Sequence, residues 1–385
     1  MREMKDSGIE WIGTIPFDWK CCKQKYEIQL INGRAYSDSE FEEDGKYRIL
    51  RVGNLFSNPT WYTSSLELPP DKYCENGDLL YSWSMSYAPV IWSGEKVIYH
   101  YHIWKTKLSS NLNKKFAYYY LSALTDALKA KIHETTMGFI TMGVMNNSYI
   151  AFPCLKEQEI IVSFLDSKCS EIDAISADIQ KEIEILEQYK RSVITEAVTK
   201  GLNPDVEMKD SGVPWIGKMP ANWTCIKGKY ILKYMQRPVK TDDGVITCFR
   251  DGEVTLRSNR REDGFTMADK EIGYQGIDVG DLVVHGMDGF AGAIGISDSR
   301  GKASPVLNVL DSRQNKKYIM YYLRSMAYGD VFAALATGIR VRSCDLRWNK
   351  LSVLLYPVPP LEEQAEIVQY IEDTLNKVNG VISEK

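Results

Sequence analysis

The chain says the same thing twice. Met4-Lys-Asp-Ser-Gly-Ile-Glu-Trp-Ile-Gly-Thr-Ile-Pro-Phe-Asp-Trp19 returns as Met208-Lys-Asp-Ser-Gly-Val-Pro-Trp-Ile-Gly-Lys-Met-Pro-Ala-Asn-Trp223, with ten of sixteen positions identical at an offset of 204. Asn76-Gly-Asp-Leu-Leu80 returns as Val279-Gly-Asp-Leu-Val283, and Lys114-Lys-Phe-Ala-Tyr-Tyr-Tyr-Leu121 as Lys316-Lys-Tyr-Ile-Met-Tyr-Tyr-Leu323. Met137-Gly-Phe-Ile140 pairs loosely with Thr337-Gly-Ile-Arg340, and Leu155-Lys-Glu-Gln-Glu-Ile-Ile-Val162 returns as Leu361-Glu-Glu-Gln-Ala-Glu-Ile-Val368. Five landmarks in one order, at offsets of 200 to 206, are the mark of a tandem duplication. Whatever the module is, the fold must contain it twice.

Each copy reads as an α/β (α+β) module followed by a helix. Short β-branched and aromatic runs fill residues 20–110: Tyr47–Val52, Asp78–Ser82 and Val97–Trp104. Phe116 to Lys131 has helical periodicity, and a last strand near Tyr149–Phe152 precedes Pro153. The second copy repeats this with Asp281–Val284, a Lys316–Tyr328 helix and Ser352–Tyr356. The expected boundaries are 1–152 and 201–356 for the modules, and 153–200 and 357–385 for the helices.

Between the copies lies an uninterrupted stretch, Leu155 to Thr199, with neither Pro nor Gly. Ile161, Leu165, Ile172, Ile175, Ile179, Ile183, Leu186, Val193 and Ala197 recur at threes and fours, and Lys168 and Lys190 fill the polar slots. That is a coiled-coil stripe with one stutter at Ile175, Ile179 and Ile183. As a helix it is a rod of about 65 Å. It reads as a spacer; a long amphipathic helix packed on its own domain is the plainer alternative.

Charge separates helices from modules. The chain carries a net −4, yet residues 20–150 hold 15 Lys and Arg against 13 Asp and Glu, and residues 224–350 hold 20 against 15. The two modules are therefore net +2 and +5, and the helical stretches carry the acid. Nucleic-acid binding depends on where positive charge sits, not on its sum. The eight cysteines are scattered without a CxxC pair, no apolar run reaches about 18 residues, and the N-terminus has no apolar core. A reduced cytoplasmic protein without structural zinc is expected.

Catalytic motifs do not surface. There is no Walker A run, HExxH or GxSxG. Asn146-Asn-Ser-Tyr149 lacks both prolines of the amino-methyltransferase motif it faintly echoes. Asp288–Gly295 is glycine-rich but has no helix behind it, so structural glycines in a tight turn are the better reading.

The paired Lys-Asp-Ser-Gly-x-x-Trp-Ile-Gly-x-x-Pro-x-x-Trp segments and the Pro-x-Leu-x-Glu-Gln helix starts at 153–158 and 359–364 resemble the specificity subunit of type I restriction–modification systems. His285–Gly295 with Gly301–Val306 resembles a target-recognition domain of that family, and the likeness spans essentially the whole chain. It implies two tandem target-recognition domains joined by two long antiparallel coiled-coil helices in a pseudo-twofold internal repeat. Each domain would read half of a split double-stranded DNA site, and the helices would set the spacing. Methyltransferase subunits would dock on the helices and supply S-adenosylmethionine chemistry, and motor–nuclease subunits would bring ATP and Mg. The chain itself would hold no cofactor or metal and catalyse nothing. The rival readings are a stand-alone DNA methyltransferase or nuclease and a non-enzymatic coiled-coil scaffold.

Base edges and phosphates both need donors. The candidates are Arg34, Tyr36, Lys72, Ser84, Tyr87, Lys131, Thr135 and Thr136 in the first module. In the second they are Arg237, Arg257, Asn259, Arg260, Lys302, Arg340, Arg342 and Arg347, with His285 weighed as well. Thr337–Arg342 is the loop expected to face DNA, whereas His285 and Trp83 read as core. At an offset of 206, Lys385 matches Ile179, so nothing answers to Gln180–Thr199. Ile183, Leu186 and Val193 are then expected to lack a partner within the chain; a truncated chain, a naturally shortened subunit or self-association through that part of the helix would each account for this.

Overall fold

A computed structural model describes the chain apart from residues 1, 85, 135–139, 261–271 and 336–345 and the side chains of 131–134. It divides into two compact units, Met1–Ala174 and Ile175–Lys385.

In the first unit, β1 (Ile28–Asn32), β2 (Tyr47–Leu50), β3 (Leu79–Ser82), β4 (Ala88–Ile91), β5 (Val97–Tyr99) and β6 (Ile103–Leu108) precede helix α1 (Lys114–Glu134) and the start of helix α2 (Leu155–Lys200). One antiparallel sheet has the order β1-β6-β3-β4, and a second places β2 parallel to β5 between two shorter strands. The β1-β6-β3-β4 sheet turns Ile28, Leu30, Leu79, Tyr81 and Trp104 onto Phe116, Ala117, Leu121 and Leu124 of α1, the main core of this unit.

The second unit repeats the arrangement. Its strands are β7 (Leu232–Tyr234), β8 (Ile246–Cys248), β9 (Leu282–His285), β10 (Ile294–Ile296), β11 (Gly301–Ala303) and β12 (Leu307–Ser312). Helices α3 (Lys316–Tyr328) and α4 (Leu361–Glu384) follow. The sheet order β7-β12-β9-β10 mirrors β1-β6-β3-β4 strand for strand. Ser82 pairs with Ile103 in one sheet and His285 with Leu307 in the other, so Ser82 and His285 hold the same place at the end of the same strand.

The repeated landmarks are the frame. Asn113 and Asn315 cap α1 and α3, each side-chain oxygen accepting from the backbone N–H groups of the helix's second and third residues. Gln158 and Gln364, both fully buried, clamp those same turns: the amide oxygen accepts from the N–H of Asn113 (2.8 Å) or Asn315 (2.9 Å). The amide nitrogen donates to the carbonyl of Pro153 (2.9 Å) or Pro359 (2.8 Å). The indoles of Trp19 and Trp223 donate to Glu157 (3.3 Å) and Glu363 (3.0 Å). Tyr120 and Tyr322 donate to the carbonyls of Tyr149 (2.5 Å) and Leu355 (2.8 Å). Each is a polar group kept inside by a partner, which is what burial requires.

Several expectations change. The run Tyr47–Val52 is a strand only to Leu50, since Val52 begins a short helix to Phe56. Val97–Trp104 is two strands in two sheets, because the backbone turns at His100, whose carbonyl accepts from the N–H of Ile103 (2.9 Å). The last strand of the second unit is Leu355–Val358, and Ser352 caps the helix Trp348–Leu351. Gly289–Ala291 forms a single tight turn before β10, and a Cβ at Gly295 would strike the carbonyl of Gly252 at 1.9 Å, so these glycines serve close packing.

The long helix needs a larger correction. Within the second unit, Ile194, Ala197 and Val198 of α2 share one core with Ile367, Val368 and Ile371 of α4. Lys385 at the far end of α4 reaches back to Glu182 (2.6 Å). The two run antiparallel, so the partner of the α2 C-terminal end is the start of α4. Ile183 and Leu186 are half-buried and Val193 is buried. The seam is bare at Ile172 (60 % exposed) and Ile175 (59 % exposed); within Gln180–Thr199 the seam residues are covered, while Ile185 and Tyr189 stay exposed outside the seam.

Candidate nucleic-acid interface

Both candidate sites lie beyond the end of the same strand, β3 in one unit and β9 in the other. In the first unit the turn His100-Tyr101-His102 between β5 and β6 meets Trp83 from the loop after β3. The Trp83 indole stacks on Trp104 (5.6 Å between ring centres), lies edge-on to His102 (5.2 Å) and donates to the carbonyl of Tyr101 (2.8 Å). His100, Tyr101 and His102 have ring centres within 4.8 Å of one another. Burial, aided by His102 and Arg51, lowers the His100 pKa to about 4, and burial with Arg51 also lowers His102. Both imidazoles are neutral near pH 7. Beside them stands Arg51, exposed, its guanidinium over the Tyr62 ring (5.0 Å).

Of the residues expected from sequence, Arg34 and Tyr36 join this cluster. Arg34 lies over the Tyr36 ring (5.2 Å), which stacks near His100 (6.4 Å), but Arg34 also forms an ion pair with Glu40. Lys72 donates to the carbonyl of Asn32 (2.8 Å) and pairs with Asp71 (3.0 Å). Ser84 and Tyr87 are half-buried in the loop after β3, and Tyr87 packs on the main core. Thr135, Thr136 and the side chain of Lys131 lie outside the described residues. Trp83, expected in the core, is half-buried at the rim. The sequence reading missed Arg51, His100, Tyr101 and His102.

In the second unit a cleft of about 640 Å³ opens beside β8 and β9, lined by Phe249, Arg250, Arg257, Arg260, His285 and Asp288 among others. His285, also expected in the core, is half-buried; its Nδ1 accepts from the backbone N–H groups of Met287 (3.2 Å) and Asp288 (2.9 Å). Burial lowers its pKa despite Asp288, so the neutral ring carries its proton on Nε2, in the cleft. Arg250 pairs with Asp288 (2.9 Å); Arg260 pairs with Asp251 (2.5 Å) and Glu253 (3.1 Å) and covers the Phe249 ring (4.3 Å). Arg257 reaches Thr247 (3.4 Å) and Asn259 reaches Thr255 (2.9 Å).

Arg237 is not available to a base. It is bound to Asp281, whose carboxylate is buried, and to Asp278, which also holds Arg300. Lys302 is half-buried in β11, and Arg347 is exposed, its stem where a Cβ added at Gly286 would meet it at 3.9 Å. Arg340, Arg342 and the rest of the 337–342 loop lie outside the described residues. What the two sites offer chemically is a set of planar cations, neutral imidazole N–H groups and aromatic faces, suited to base edges and phosphates. Among the described residues, no group of three or more His, Cys, Asp or Glu side chains could hold a metal ion, and no helix is long and apolar enough to cross a membrane.

A family model for the type I restriction modification DNA specificity domain matches residues 16–185, and the internal repeat carries its frame into the second half. The EcoBI specificity subunit of Escherichia coli is 23% identical over 96% of this chain and 82% of its own length; the EcoDI subunit of the same organism is 18% identical over 96% and 86%. The MjaVIII specificity subunit of Methanocaldococcus jannaschii is 26% identical over 60% of this chain and 54% of its own. Among solved structures, the HsdS subunit of Thermoanaerobacter tengcongensis aligns with a TM-score of 0.52 at 14% identity, over 96% of this chain and 92% of that one. A chain from a structure titled for complex assembly and conformational transition of the type I R-M system aligns at 0.63 with 14% identity, over 96% and 93%. Tandem modules on one frame, a spacer helix and these likenesses converge: residues 16–185 match the type I restriction modification DNA specificity domain, and over nearly its whole length the chain is similar to specificity subunits of type I restriction–modification systems.

Proposed function

We propose that the chain is the DNA-sequence-recognition subunit of a type I restriction–modification complex, each module reading one half of a bipartite double-stranded site. The observation that carries this is the contrast between the copies. Frame residues recur at equivalent places, whereas the surfaces beyond β3 and β9 differ in every reader: Arg51 with two histidines in one, three arginines with His285 and Asp288 in the other. Two surfaces of different chemistry on one scaffold read two different half-sites. The helices would set the spacing and dock methyltransferase subunits, which carry the S-adenosylmethionine chemistry, while motor–nuclease subunits bring ATP and Mg. The chain alone would neither methylate nor cleave.

The test is a domain exchange. In cells supplying the partner subunits, replacing residues 20–150 with the matching segment of another specificity subunit should change one half of the methylated site and leave the other. A swap that alters both halves sinks the two-reader model. Methylation or cleavage by the purified chain, free of partner subunits, would overturn the non-catalytic role.

A further inference from the structure

The first unit contains four arginines, and three of them are spent on carboxylates: Arg2 on Asp18 and Glu157, Arg34 on Glu40, Arg48 on Glu95. Among the described residues Arg51 has no such partner. Its backbone is nonetheless fixed. Leu50, just before it, pairs in parallel with Tyr99, the N–H of His100 donates to the Leu50 carbonyl (2.9 Å), and the N–H of Arg51 donates to the Asn54 side chain (3.2 Å). The guanidinium lies over the Tyr62 ring (5.0 Å), a contact that restricts it while the residue stays exposed to solvent.

We propose that Arg51 reads a guanine in the half-site recognised by the first unit, donating two hydrogen bonds to O6 and N7 from the major groove. This rests on the DNA-recognition function proposed above. The neighbourhood favours a base edge. His100 and His102 beside Arg51 are neutral and so do not repel its charge, His100 Nδ1 faces the N–H of His102 (3.4 Å), and Glu40, the carboxylate in the cluster, is held by Arg34. A preorganised planar fork matches the paired acceptors of guanine, and it is the commonest specific contact with that base. A phosphate needs only the charge, which lysine supplies equally well. That difference separates the two roles.

The experiment uses the complex of this chain with its methyltransferase subunits, and reads methylation of a DNA library randomised across the recognised site. R51K and R51Q should both relax one guanine position by roughly 10- to 100-fold, with the other positions and the other half-site unchanged. R51K acting as wild type while R51Q weakens all sequences alike would make Arg51 a phosphate contact and overturn the proposal, as would two variants with unaltered preference. Arg51 is exposed, so both variants should fold; should R51Q lose thermal stability, R51K alone decides. If the wild-type complex shows no split site at all, it is the recognition function that fails, and the library reports this before any variant is compared.

Discussion

His100 shows how one residue couples the proposed recognition surface to stability. Its folded pKa lies at about 4, below the ordinary 6.5, because its ring is partly buried beside His102 and Arg51. The unfolded chain therefore takes up a proton on this residue as the pH falls through about 6.5, before the folded chain does. Its contribution to stability is complete above that pH and is lost progressively toward about 4. Carboxylates held below their ordinary range, such as Glu40 by Arg34 or Asp243 by Arg300, act in the same direction but only below about 4.5. Between about pH 6.5 and 5 the histidines stand alone. His100→Gln should therefore flatten the fall in urea midpoint across that window relative to wild type. Parallel curves for the two proteins would mean that the ring is not desolvated in the folded state.

At the level of elements, the repeats mark the frame and the divergent stretches hold the proposed reading surfaces. Trp19 and Trp223, Glu157 and Glu363, Gln158 and Gln364 stand out in the sequence because both copies need the same clamp between a helix start and its module. Helix α3 was legible to the residue, since Asn315 caps it and Gly329 follows it. The proposed recognition surface was not. Arg51, His100 and His102 follow the ends of two strands that are adjacent only through a parallel pairing, and no spacing in the chain announces that. The turn at His100 was hidden because Val97–Trp104 has β character throughout, and only the switch between sheets breaks it. Arg237 misled for the opposite reason: sequence shows its charge but not the buried Asp281 that consumes it. Gln364→Ala tests the frame. It leaves the N–H of Asn315 without its acceptor in a buried position, which should destabilise the second unit by roughly 1–3 kcal/mol in denaturant unfolding. A loss well below that range would mean water replaces the amide without cost.

At the scale of the whole molecule, helix α2 is the one element shared by both units, and the stretch from Glu171 to Asp178 is exposed at every position. An insertion there would remove no side chain from a core of the described residues. Seven added residues turn the helix by about two full turns, so the residues on either side keep nearly the same angular relation, and the rod grows by about 10 Å. That is roughly three base pairs of B-DNA. If helix length sets the distance between the readers, a heptad inserted after Ala174 should leave both half-site sequences intact and widen the gap between them by about three base pairs in the methylation profile. Four added residues instead turn the second segment by about 40° from its phase, and should weaken modification on every spacing. A gap that stays the same after the heptad insertion, with both half-sites still recognised, would show that contacts other than the helix hold the readers apart.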